Sequence, residues 1–174
     1  MRRNLHAVWL AASLLAASVD QAPAQSATEH HVWQDARSFQ PYSRTATAIT
    51  GPIALSGNPN FATKGSTMSM TFGTGARVGL TQVGAAWRVW DLDGVTKRTA
   101  EIYQLSNDPG SLINGNWLCD AKPTKLRLYV VFSEGYAMGG GELLQAAVFR
   151  SAKPPVDINS KGLCGTYNYY ADPA

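Results

Sequence analysis

Residues 125–132 read Lys-Leu-Arg-Leu-Tyr-Val-Val-Phe, and this run constrains the fold more than any other stretch of the chain. Leu126, Leu128, Val130 and Phe132 fall on one face, and Lys125, Arg127, Tyr129 and Val131 on the other. Successive side chains of an extended strand point to opposite faces, so this period of two specifies a strand covered on at least one side. Such a strand needs partners. The rest of the chain supplies them as short β-forming runs separated by turn residues.

Those runs are expected at 45–55, 68–72, 76–83, 86–92, 97–105, 143–150 and 163–170. In the first, Gly51-Pro52 reads as a bulge or an edge feature. Met68, Met70 and Phe72 alternate with Ser69 and Thr71, the pattern of a half-buried strand. Trp87 and Val89 share one face of their run, with Arg88 and Trp90 on the other. Glu101, Tyr103 and Leu105 line up on one side of theirs. Turn signals fall between the runs at Gly57-Asn58-Pro59-Asn60, Gly73-Thr74-Gly75, Asp91-Leu92-Asp93-Gly94, Asn107-Asp108-Pro109-Gly110 and Gly139-Gly140-Gly141. About eight strands at such spacing point to an all-β fold, a small antiparallel barrel or sandwich.

The beginning of the chain reads as a secretory leader. Arg2 and Arg3 precede an uncharged, mostly apolar stretch at 7–19, and Ala22-Pro23-Ala24 offers small residues at a cleavage site. The stretch is well short of the roughly twenty residues that a membrane-spanning helix requires, so no stable membrane anchor is expected. No cysteine lies near the cleavage site to accept a lipid. Taking residues 1–24 as the leader leaves 150 of the 174 residues. Residues 25–43 have no clear period and are expected as a flexible N-terminal tail, and 44–174 as a single β-domain. The 15 Lys and Arg against 12 Asp and Glu are close to balance and form no basic run, so a nucleic-acid partner is not expected.

Export gives the two cysteines a setting. In an oxidising compartment Cys119 and Cys164 are expected to form one disulfide, with two buried free thiols as the alternative. On this reading the bond fastens the last strand beside its neighbours and protects a sheet edge.

The segments Asn114-Gly115-Asn116-Trp117-Leu118-Cys119 and Leu163-Cys164-Gly165-Thr166-Tyr167, with the run LLQAAVFRSAKPP at 143–155, resemble a group of uncharacterised small bacterial exported β-proteins. The resemblance covers about the last third of the mature chain. It implies an exported β-protein with a paired cysteine and transfers no activity. The expected architecture also resembles small periplasmic barrels that inhibit lysozyme, and lipocalins, although no G-x-W motif opens the first strand.

Candidate chemistry is sparse. A nucleophilic Ser or Cys needs a base beside it, and the mature chain has only His30 and His31, both in the expected tail. Adjacent histidines on an extended segment point apart, so with Glu29 and Asp35 they read as solvated residues rather than metal ligands. Asp91 and Asp93 before Gly94 resemble the start of a calcium loop, but the twelfth position is Ile102 and the match fails. No metal and no cofactor is expected. Glu101, Asp120, Glu134 and Glu142 leave a hydrolase with paired carboxylates as an alternative.

The aromatics suggest binding. Trp90 and Tyr129 fall on faces read as outward, beside Arg88 and Arg127, and aromatic and arginine side chains make good contact anchors. The expectation is therefore a non-enzymatic binding module of the bacterial envelope or periplasm, periplasmic or secreted. Its partner would be an envelope protein, such as a hydrolase it inhibits, or a small apolar ligand. A structural or stress role in the envelope is a further alternative.

Overall fold

The structure is a computed structural model and describes residues 30–57, 64–92, 97–120 and 125–171. The expected leader, Glu29, the Asn58-Pro59-Asn60 part of one turn and Asp93-Gly94 of another lie outside the described residues.

Eight strands form a closed antiparallel barrel: β1 (Ser38–Pro41), β2 (Ile53–Gly57), β3 (Thr67–Phe72), β4 (Arg77–Trp90), β5 (Arg98–Leu105), β6 (Arg127–Tyr136), β7 (Glu142–Ser151) and β8 (Leu163–Ala171). Each strand pairs with its sequence neighbours, and the ring closes where Phe39, Gln40 and Pro41 of β1 meet Ala171, Tyr170 and Tyr169 of β8. Among the described residues only short helical turns accompany the strands, at Val32–Gln34, Ala46–Thr50 and Ile113–Gly115.

The alternation that predicted β6 decides what is inside. Leu128, Val130 and Phe132 point into the lumen, packed with Phe39, Met70, Phe72, Tyr103 and Tyr169. Tyr129 and Val131 point outward, yet they are also buried. They join Trp90, Ala100, Ile102, Ala147 and Phe149 in a second apolar cluster on the outer wall of β5–β7, covered in part by Leu92 and by Ile158 of the β7–β8 connection. Strands apolar on both faces are covered on both faces.

The structure corrects four sequence expectations. Residues 30–43 are no loose tail: they carry β1, and the Trp33 side chain is fully buried, so this segment plugs one end of the barrel. The run at 45–55 is a helical turn, Ala46–Thr50, followed by β2, because Gly51 at φ 63° breaks the extended path that the β-forming residues suggest. The runs at 76–83 and 86–92 are one strand of 14 residues, β4, whose register shifts at two places. Cys119 and Cys164 are bonded, with Cα atoms 5.1 Å apart. The bond does not guard a sheet edge, since closure through β1 and β8 leaves the ring without one. It ties the β5–β6 connection to the start of β8.

Candidate functional site

The disulfide end of the barrel carries a groove of about 460 Å³. Its wall comes from three elements. The β5–β6 connection supplies Trp117 and Leu126, the turn Ala46–Thr50 supplies Ile49, and the start of β8 supplies Leu163, with Cys119–Cys164 alongside. The connection is held in shape by its own backbone. The Leu112 amide donates to the Asn116 carbonyl (2.7 Å), and the Asn116 amide donates to that of Ile113 (3.0 Å). Asn114 sits at φ 56°, a conformation that asparagine tolerates better than most residues. The Asn116 side-chain amide then donates to the Ala48 carbonyl (2.9 Å), linking the connection to the Ala46–Thr50 turn.

Beneath the groove the lumen is sealed by tyrosines. The Tyr167 hydroxyl donates to the Leu118 carbonyl at 3.1 Å, and burial pushes its pKa up to about 12. Tyr169 and Thr50 share a hydrogen bond of 2.7 Å between hydroxyls, and burial raises Tyr169 further still. Above them Leu126 and Leu163 remain 47% and 43% exposed. At the rim, Arg150 is fixed by the Asp108 carboxylate and the Asp120 carbonyl, each at 2.6 Å.

The opposite end holds two acids, Glu101 and Glu134. Glu101 accepts the Trp33 indole N–H at 2.7 Å and the Tyr103 hydroxyl, and is almost completely buried. Glu134 accepts the Val32 amide at 2.8 Å and lies 3.3 Å from His31 Nδ1. Burial by itself would raise the Glu134 pKa. The His31 hydrogen bond, the Val32 amide and the histidine charges outweigh it and hold the carboxyl below its usual range. His31 in turn stacks on Trp33 with ring centroids 4.4 Å apart. It is therefore a buried part of the plug, not a solvated tail residue, whereas His30 is exposed and bonds Asp35 at 2.7 Å.

The expected contact surface does not form. Trp90 and Tyr129 are fully buried, because the outward face they share is roofed by the second apolar cluster, and Trp90 packs edge-on against Phe149 at 5.9 Å. Arg88 and Arg127 are exposed but have lost those aromatic neighbours. Arg127 reaches Gln104 instead. Among the described residues the tryptophans left accessible are Trp117 at the groove and Trp87, 62% exposed on the opposite rim. Period-two reading placed Trp87 and Trp90 on opposite faces but could not say which face the outer cluster would cover.

The scattered carboxylates separate too. Glu101 and Glu134 come to the same end, but the plug engages both through Trp33 and Val32. Asp120 lies beside the groove. Among the described residues no group of three or more His, Cys, Asp or Glu side chains is placed to hold a metal ion, and no helix is long and apolar enough to cross a membrane. The chain matches no protein-family profile, no curated protein and no solved structure.

Proposed function

We propose that this protein is an exported, non-enzymatic binding module, acting in the periplasm or outside the cell, that holds a small, mostly apolar ligand in the groove beside Cys119–Cys164. One observation carries the reading. Two leucines that the barrel leaves nearly half exposed, Leu126 and Leu163, line the same concavity as Trp117 and Ile49. Single exposed leucines need no explanation, but a concave apolar wall with a few fixed polar groups is the usual form of a small-ligand site. Its volume of about 460 Å³ falls within the range of such sites, roughly 300–1,000 Å³. Export fits the disulfide, which is compatible with an oxidising compartment. A hydrolase with paired carboxylates finds less support, since Glu101 and Glu134 are both taken up by the plug.

The test uses Nile red, a neutral apolar dye, with the oxidised protein. Its fluorescence should rise and shift to the blue on binding, and Leu126→Glu or Leu163→Glu should abolish the gain. A dye response that is absent in the parent protein, or unchanged in both variants, would remove the proposal.

A further inference from the structure

The plugged end of the barrel carries a second depression, of about 330 Å³, with a chemistry opposite to that of the groove. Arg88, Lys97 and Arg98 line it, together with Trp87, Thr99 and the His31–Glu134 pair. We infer that this rim pocket binds a carboxylate-bearing sugar ring.

Three observations converge on it. The first is charge. Arg88 and Lys97 face one carboxylate there, Glu134, which the Val32 amide and His31 already engage. Arg98 lies over the Tyr136 ring at 5.4 Å, which orients its guanidinium. Arg88 and Lys97 are exposed and make no ion pair among the described residues. A pocket so lined attracts an anion.

The second is backbone shape. Ala86 pairs with Ala100 and Trp90 with Arg98, so Trp87, Arg88 and Val89 together oppose Thr99 alone. A bulge of this kind re-aims side chains at a barrel rim. Arg88 takes φ 57° to complete it, a conformation unfavourable for a residue with a Cβ. Residues other than glycine held in such conformations cluster at functional sites.

The third is Trp87. An anion alone needs only cations and donors, yet the bulge also sets a tryptophan at the lip, 62% exposed. An indole face suits the C–H face of a pyranose ring, while Thr99 offers a partner for one of its hydroxyls. Arg88 and Lys97 then take the carboxylate. The volume, at the lower end of small-ligand sites, fits a ligand of this size.

Calorimetric titration of the full mature protein tests the assignment with glucuronate, glucose and inorganic phosphate as probes. Glucuronate should bind more tightly than either other probe, and its affinity should fall with added salt. Arg88→Gly and Trp87→Ala should each weaken it about tenfold. Arg88→Gly suits the backbone there, so the variant should fold at least as stably as the parent, which separates loss of binding from loss of structure. Glucose binding as tightly as glucuronate would overturn the inference. So would phosphate binding as tightly with no effect of Trp87→Ala, which would leave a general anion site, and so would the absence of glucuronate binding.

Discussion

The Trp33 indole N–H donates to the Glu101 carboxylate across 2.7 Å, inside a lumen that leaves Glu101 only 2% exposed. An acid so placed is tolerable only while its oxygens are hydrogen-bonded, and the other side-chain donor is the Tyr103 hydroxyl. Desolvation of Tyr103, with the neighbouring Glu101 charge and hydrogen bond, raises its pKa well above the ordinary phenol range, so it stays a donor. The plug is therefore more than a lid: it supplies the hydrogen bond that the barrel wall lacks.

Trp33→Phe keeps most of the packing but removes that donor, and should cost about 1–3 kcal/mol in urea unfolding, the usual penalty for orphaning a buried polar group. Glu101→Leu combined with Trp33→Phe should lose less than the sum of the single losses, because the partner of the missing donor has gone as well. Additive losses would show that the indole and the carboxylate are not coupled.

The His31–Glu134 pair predicts an acid limb in stability. A carboxyl whose pKa is depressed on folding contributes stability above its unfolded value and loses it as pH falls through the folded one. Glu134 is such a group, with burial opposed and outweighed by the His31 and Val32 hydrogen bonds. Denaturant midpoints measured from neutral pH into acid should therefore fall less steeply for Glu134→Gln than for the parent. Parallel curves would remove Glu134 from the account.

Much of the barrel is legible in the sequence and some of it is not, for physical reasons. The period of two at residues 125–132 places Leu128, Val130 and Phe132 inside because alternation depends only on local backbone geometry. The same alternation cannot tell whether Tyr129 faces water or a second apolar layer, since that depends on Ile158 and Trp90, both far along the chain. β1 escapes notice because four residues with a proline carry almost no periodic signal, and its pairing with β8 spans most of the domain. Of the candidate sites, the cysteine pair can be foreseen from compartment and parity. The groove and the rim pocket cannot, because each gathers residues from distant elements. Arg88 gives no advance sign of positive φ, as no Gly or Asn marks the bulge.

Tyr129 offers a test of the outer layer. Its ring is fully buried, and among the described residues its hydroxyl has no hydrogen-bond partner. Tyr129→Phe should therefore leave the melting temperature unchanged or raise it, since removing an unpaired buried polar atom can be neutral or stabilising. Tyr129→Ala should cost about 3–5 kcal/mol, comparable to other large aromatic truncations in cores. A small loss for Tyr129→Ala as well would place the ring on an exposed surface and remove the outer layer from the account.

The disulfide predicts a redox-dependent fold. Cys119 and Cys164 are 45 residues apart, and closing a loop of that length restricts the unfolded chain by about 4 kcal/mol in the chain-entropy description. The oxidised protein should take up no thiol-directed label, and reduction should lower its denaturant midpoint. Cys119→Ala with Cys164→Ala should match the reduced parent. Free labelling before reduction would contradict the bond.

Two glycines with nearly the same backbone angle separate strain from crowding. Gly139, at φ 97°, lies in the β6–β7 turn, and an added Cβ there meets nothing within 4 Å. Gly162, at φ 92°, leads into β8, and a Cβ there would stand 2.2 Å from the Arg150 carbonyl oxygen. The Gly162 carbonyl also accepts the Arg150 amide at 2.8 Å, so the two backbones cannot part without losing a rung beside the disulfide. Gly139→Ala should thus cost only the conformational penalty, about 1–2 kcal/mol. Gly162→Ala carries that penalty plus the clash, and should lower the denaturant midpoint further and loosen the groove, read as weaker Nile red binding. Equal losses for the two variants would mean that β8 can shift freely at its start, and that the close approach of Arg150 and Gly162 does not hold the groove in place.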